Sequence, residues 1–383
     1  MPADGTSLLI AAVSGRALAA SARRAGFIPL VADFFADADT RLMAAACHKL
    51  DDLKRGFRWK TLEPVLHALA ERAPSPPLGV VYAAGFEDRP KLLAKMAERW
   101  RLLGNSASVV ERIKGPETFF TELARLGVPH PRTVTELPAE QQDWLAKRRG
   151  GAGGGHIVTA RGGRESARGP LYFQEKVAGR PVSALFVGTG ASASVLGFSE
   201  QWPAPTGQAK WRYGGAVRPA EMPPGLEARL MDIVERVALC FGLKGLGSAD
   251  FLVNGGEARL LEINPRPGAT LDIFDSEALP LLRLHLDAVL DNRLPTASLT
   301  LPAASAAAIV YATEPITVSS TVAWPEWTAD RPVIGECIDK NRPICTVLAR
   351  AETAPEARRL VMDRISMVLP AFNGRDGGKE WTL

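Results

Sequence analysis

Leu260-Leu261-Glu262-Ile263-Asn264-Pro265-Arg266-Pro267-Gly268 is an apolar run that closes on a carboxylate, an amide and a guanidinium. Strand alternation puts Glu262 and Asn264 on one face and Leu261 and Ile263 on the other. A hard cation on the first face finds oxygen donors. Pro265 cannot continue a ladder and keeps Asn264 extended, so the strand stops and Arg266 stands at its mouth.

The segment Ser248-Ala249-Asp250-Phe251-Leu252-Val253 upstream reads as a second strand, joined through Asn254-Gly255-Gly256-Glu257 as a hairpin. A two-residue turn sets Asp250 opposite Leu261, facing away from Glu262. A three-residue loop that includes Glu257 sets Asp250 opposite Glu262 and aligns Phe251 and Val253 with Leu261 and Ile263. An odd-length loop is therefore expected, with Asp250, Glu262 and Asn264 converging. The bland alternative is a hairpin with solvated carboxylates.

A short strand, Trp144-Leu145-Ala146-Lys147, runs into Arg148-Arg149-Gly150-Gly151-Ala152-Gly153-Gly154-Gly155-His156. Glycine lets backbone approach a phosphate closely and adopt positive φ, and Lys147 offers charge to the same oxygens. The loop has neither the G-x-x-x-x-G-K-[ST] order nor G-x-G-x-x-G with its helix and acid. A flexible linker is the alternative. Further on, Leu171-Tyr172-Phe173-Gln174-Glu175-Lys176-Val177-Ala178-Gly179 passes from an apolar strand into a polar hinge.

An early lysine, a lysine before a glycine-rich loop, a Gln-Glu-Lys-Val hinge and a late Asp…Glu-x-Asn set together resemble the ATP-grasp superfamily, over about residues 109 to 275. The resemblance implies that Lys114 and Lys147 hold nucleotide phosphates under a lid formed by Gly150, Gly151, Gly153, Gly154 and Gly155. It implies that Gln174, Glu175, Lys176 and Val177 meet the adenine edge, largely by backbone. Asp250, Glu262 and Asn264 would bind two Mg2+ ions, with Mn2+ as a substitute, and Arg266 would stabilise the transferring phosphoryl group or the acyl phosphate. Two departures stand out: Arg180-Pro181-Val182-Ser183 occupies the place where many relatives carry an acid for the ribose, and Ser248 replaces an arginine found in some members.

The implied fold is α/β: a βαβ domain over 1–108, a two-lobed ATP-grasp domain over 109–298 and a small α+β cap over 299–383, like the C-terminal modules of biotin carboxylase-type relatives. The residues fit this plan. Ser7 to Val13, Phe27 to Ala32 and Leu78 to Ala83 read as strands and Arg16 to Ala25 as a helix. Glu87, beyond the third strand, is a substrate-side candidate, since open parallel sheets bind ligands beyond their carboxyl ends. Ser14, Gly15 and Asp33 are weaker candidates. A helix is expected over Thr118 to Leu126, stopped by Gly127 and the following prolines. Ser199 to Gly215 reads as a polar, aromatic insertion over the acceptor site, where Arg212 or Lys210 could neutralise a carboxylate substrate; a tryptophan-pinned surface loop is the alternative. Strands are expected over Ala308 to Ala312, Thr317 to Ala323 and Ile344 to Leu348, and a helix over Pro355 to Leu369. Trp324 and Trp327 should anchor the cap.

At 383 residues the chain needs two or three domains. A net charge of +4 without basic runs argues against nucleic acid or an anionic membrane as partner. Four cysteines with neither C-x-x-C nor zinc spacing suggest a reducing, cytoplasmic compartment. The N-terminus lacks the basic n-region of a signal peptide, and the uncharged run from Leu294 to Thr313 is broken by prolines and hydroxyls. The activity implied by the resemblance is an ADP-forming ligase that activates a carboxylate as an acyl phosphate and couples it to an amine. Its partners are those two small molecules, with a homodimer as the assembly to test. A biotin carboxylase-like reaction on bicarbonate and a non-catalytic nucleotide-binding regulator are the alternatives. The overall pattern is also similar to ATP-grasp carboligases found with methanopterin- and methylofuran-type one-carbon cofactor pathways.

Overall fold

The computed structural model describes residues 4–139, 143–160, 169–207, 209–296, 301, 303–320 and 322–373. It begins with a four-stranded parallel sheet ordered Ala46–Lys49, Ile28–Asp33, Ser7–Ala11, Val80–Tyr82. Ser7–Ala11 is buried at every residue, as a strand covered on both faces must be. On one face Leu9, Leu30 and Val80 pack with Leu62 and Leu66 of helix Trp59–Glu71. On the other, Leu8, Ile10 and Val31 pack with Leu18 and Ala22 of helix Arg16–Arg24.

The spine of the molecule is an eight-stranded sheet in the order Glu257–Asn264, Lys244–Asn254, Arg180–Thr189, Ala193–Pro203, Tyr213–Arg218, Ala304–Tyr311, Pro343–Ala351, Thr328–Ala329. Alternation sends Leu185 and Val187 to a core shared with helix Leu281–Asp291, and Ala184 and Phe186 to one shared with helix Leu226–Phe241. The longer helix lies between Gly225 and Gly242, both at positive φ, the second as a left-handed C-terminal stop. A separate four-stranded sheet, Thr133–Val134, Leu171–Glu175, Trp144–Arg148, Val158–Thr159, carries the glycine-rich loop.

Two expectations change, and the cap strands join the large sheet, because Gly215 to Arg218 pair with Ala308 to Ser305. The segment expected as a polar insertion is mostly a β-hairpin: Glu200 to Pro203 pair with Val217 to Tyr213. Of the strand expected over Thr317 to Ala323, only Ile316–Thr317 pairs, with Cys337–Ile338, while residue 321 and the domain boundary at 298/299 lie outside the described residues. Among the described residues, no helix is long and apolar enough to cross a membrane.

Asn105 ties the layers together. Its amide nitrogen donates to the Lys244 and Pro265 carbonyls, both at 2.9 Å, and its oxygen accepts from the Lys244 N–H at 2.8 Å. Losing three buried bonds while leaving the backbone groups orphaned costs several kcal/mol. Asn105→Leu should therefore lower the melting temperature by more than about 5 °C.

His285, only 1% exposed, holds a second junction. Its Nδ1 accepts from the Leu246 N–H at 2.9 Å, which leaves Nε2–H to donate to the Leu103 carbonyl at 3.0 Å. The ring is thus neutral, and burial pushes its pKa down to about 4. Because the unfolded chain binds a proton near pH 6.5 and the folded chain does not, stability is full above pH 6.5 and falls as pH drops toward 4. That loss should reach about 3 kcal/mol. Urea unfolding between pH 4 and 7 should show this slope, and His285→Gln should flatten it.

Candidate functional site

The hairpin has the predicted facing pair by an unpredicted route. Asn254 pairs with Glu257, so the turn contains only Gly255 and Gly256, and that register continues to Phe251 opposite Leu260. A β-bulge then inserts Leu261, and Asp250 pairs with Glu262 beyond it. The odd residue lies in the strand and not in the turn. In consequence Leu260, 1% exposed, takes the core position expected for Leu261, while Leu261 and Glu262 both line the cleft between the two sheets.

Asp250 is held on both sides. Ser183, directly opposite on the neighbouring strand, donates its hydroxyl to Oδ1 at 2.6 Å, and the Asn264 amide donates to Oδ2 at 2.9 Å. Burial and the adjacent Glu262 raise the Asp250 pKa. Burial also opposes ionisation of Glu262, but Lys114, Lys147 and His156 outweigh it and hold that carboxyl below its usual range. Ser183 escaped the sequence reading because its partner is 67 residues away and only strand pairing joins them.

Lys114 ends helix Ala107–Lys114, whose start is capped by Ser106, and points across the hairpin mouth. Its Nζ lies 2.9 Å from Asn264 Oδ1 and 3.4 Å from Glu262 Oε2. Lys147, 6% exposed, projects from strand Trp144–Arg148 and donates to Gln174 Oε1 at 2.6 Å. Gln174 in turn donates to Thr133 Oγ1 at 3.1 Å, so it orients Lys147. Burial lowers the Lys147 pKa, with Glu262 and Asp250 opposing that shift. In the hinge, the Glu175 and Lys176 N–H groups are already bonded to the Arg132 and Asp143 carbonyls, and Val177 is half-buried beside them.

Arg266 donates Nε to Glu87 Oε1 at 2.7 Å, and the side chains are 8% and 3% exposed. Glu87 Oε2 accepts from the N–H groups of Gly85 and Phe86 at 2.7 and 3.0 Å. Burial opposes the Glu87 charge, yet Arg266, Lys114 and the Gly85 N–H keep its pKa below the ordinary value. Glu87, the substrate-side candidate, thus has both carboxylate oxygens engaged, one by Arg266 and the other by two backbone amides. The glycine-rich loop rests on the same place: a Cβ at Gly150, whose φ is +65°, would come 2.6 Å from the Glu87 carbonyl oxygen. On its other side, a Cβ at Gly154 would come 1.8 Å from the Trp211 carbonyl oxygen, and Gly153 O accepts from the Tyr213 N–H at 3.0 Å. Close approach is why these positions are glycine.

Arg212 also differs from expectation. Its Nε donates to the Ala204 carbonyl and Nη1 to the Asn341 carbonyl, and its guanidinium lies 3.5 Å from the centre of the Tyr311 ring. These contacts fasten the hairpin turn to the cap and give Arg212 a packing role. Lys210 is solvent-exposed. Arg180, in the place of the expected ribose acid, pairs with Glu200. Of the weaker candidates, Gly15 N–H donates to Asp33 at 2.8 Å and the Ser14 hydroxyl to Asp330 at 3.3 Å.

Two sheets thus face one cleft, with a glycine-rich loop from one, an acidic hairpin from the other, and the Lys114 and Lys147 side chains directed toward it. Residues 118–270 match the ATP-grasp domain, so this stretch of the chain is an ATP-grasp domain. It is 27% identical over 266 residues to the carbamoyl phosphate synthase large chain of Rubrobacter xylanophilus, covering 62% of this chain and 24% of that one. The chain thus spans about a quarter of the length of the curated relatives it matches. Its fold is similar to biotin carboxylase from Campylobacter jejuni, with a TM-score of 0.72, 15% identity and coverage of 93% and 89% of the two chains. It is similar too to L-amino acid ligase from Bacillus licheniformis, with a TM-score of 0.71, 14% identity and coverage of 96% and 98%.

Breaking a buried ion pair on one side costs about 3–5 kcal/mol, because the remaining charge is stranded. Glu87→Gln should lower thermal stability by an amount of that order without any nucleotide present. Retention of the wild-type melting curve would show that the pair carries no such strain.

Proposed function

We propose that this chain is an ATP-dependent, ADP-forming ligase that activates a carboxylate as an acyl phosphate and joins it to an amine. The observation that carries the reading is the convergence of Lys114, Lys147, Asp250, Glu262, Asn264 and Arg266 on one cleft beneath a glycine-rich loop. Such chemistry is mostly positioning and charge neutralisation, and these groups supply both.

The donor set fits Mg2+. Asp250 and Glu262 face one another, Asn264 adds an amide oxygen, and the Lys114 ammonium already lies against two of the three side chains. Among the described residues, no group of three or more His, Cys, Asp or Glu side chains could hold a metal by itself. A small oxygen set suits a hard cation shared with phosphate oxygens. Asp250, Glu262 and Asn264 would hold it, and Mg2+ bound there neutralises phosphate charge. Lys114 and Lys147 bind the phosphates, and the Gly150–Gly155 loop covers them and excludes water. Leu261, Tyr172 and Phe120 give the same cleft an apolar wall suited to the base. Arg266, fixed by Glu87, presents its guanidinium to the transferred phosphoryl group.

Biotin carboxylase and an amino acid ligase share this fold with nearly equal TM-scores, so the acceptor distinguishes the readings. The likeness to carboligases of methanopterin- and methylofuran-type pathways makes precursors of such carriers the first pairs to test. ADP release is measured across pools of carboxylates and amines, with bicarbonate as a separate arm. Dependence on both an acid and an amine is expected; dependence on bicarbonate identifies carboxylation, and binding without turnover identifies a regulator. Glu262→Gln and Asn264→Ala should each reduce ADP formation more than about a hundredfold while the circular dichroism spectrum is unchanged. Undiminished turnover in either variant removes the metal assignment.

A further inference from the structure

A cavity of about 290 Å³ lies between the turn that follows strand Ile28–Asp33 and the cap segment from Asp330 to Ile344. That is near the lower end of small-molecule pockets, roughly 300 Å³ upward. Its walls are fixed before any ligand arrives. The Ala38 N–H donates to the Arg331 carbonyl at 2.8 Å, Arg331 Nε pairs with Asp39 at 2.7 Å, and Lys49 pairs with Glu336 at 2.6 Å. Phe34, Phe35, Leu53, Val333, Ile338 and Ile344 give the interior an apolar body.

The lining holds five carboxylates, of Asp37, Asp52, Asp330, Glu336 and Asp339, against two basic side chains, of Lys54 and Arg342, and three of the five already have a cation beside them: Asp52 has Arg55, Asp330 has Arg16 and Glu336 has Lys49. Lys54, Asp52 and Asp339 are exposed and mark the open rim. Inside, Asp330 is matched by Arg16 at 2.9 Å, and Arg331 is taken up by Asp39. Asp37 is different. It is 3% exposed, its two oxygens accept only from the Thr40 N–H and hydroxyl, both at 2.8 Å, and it has no ion-pair partner among the described residues. Burial and the neighbouring Asp330 raise its pKa to about 7. A buried carboxylate next to another acid, with no cation paired to it, is costly unless it takes a proton or a cation reaches it.

We propose that this cavity is a binding site for a small organic cation, a primary ammonium group on an apolar body, with Asp37 as its counter-charge and the Phe34, Leu53 and Ile344 side chains around its body. The site lies outside the phosphate cleft, and the inference does not rest on the ligase reading. It uses residues of the cap for which that chemistry has no role.

The test compares three probes of one shape, benzylamine, benzyl alcohol and benzoate, by ligand-observed NMR titration of the full chain. Benzylamine should bind at least about tenfold more tightly than the alcohol, and benzoate should not bind. Asp37→Asn keeps a side chain competent to cap the Ala38–Met43 helix and should weaken benzylamine by about tenfold. Val333→Trp, at a half-buried wall position, should exclude all three, with the thermal melt of each variant confirming that it folds. The proposal is overturned if benzylamine does not bind, if the alcohol or benzoate binds as tightly, or if either folded variant binds benzylamine like the wild type.

Discussion

The ion pair between Arg266 and Glu87 is the joint on which the site depends. Arg266 comes from the end of the acidic hairpin and Glu87 from the loop beyond the last strand of the N-terminal sheet, so the pair fastens two layers. The same Glu87 carries the glycine-rich loop on its carbonyl oxygen, through Gly150. One residue therefore orients the guanidinium with its side chain and lies against the glycine-rich loop with its backbone. Low exposure on both sides means that neither charge has water to fall back on.

Around that joint the electrostatics follow a simple order. Cations and anions alternate: Glu87 to Arg266, Arg266 and Lys114 to the Asn264 oxygen, Lys114 to Glu262, and Asp250 to Ser183 and the Asn264 amide. Lys147 is the exception, buried with the neutral Gln174 as its hydrogen-bond partner. An ammonium so placed binds an incoming anion at a smaller desolvation cost than one that must first leave solvent.

Local patterning carried much of this into the sequence. Leu260 to Arg266 announced a strand with a polar mouth, and Gly150 to Gly155 announced a close backbone approach, since glycine there has few other uses. What stayed hidden depended on pairing over distance. The bulge at Leu261 has no residue signature, because leucine is ordinary in a strand; it is visible only when the registers on its two sides are compared. Ser183 and Asn105 are short polar residues whose partners lie far along the chain, and Glu87 resembles any loop acid until Arg266 is placed on it. The contacts of Arg212 were hidden for a related reason: a guanidinium reads the same in sequence whatever carbonyls and ring it lies against.

The bulge has a structural corollary. It shifts only the outer strand, while Lys244 to Val253 stay in one unbroken register with strand Arg180–Thr189 behind them. Gly255 and Gly256 have open space where a side chain would be. The tip is thereby a natural place for grafting: a peptide tag or a reporter domain spliced between those glycines would extend into solvent, while the acidic face keeps its alignment from the strand behind it.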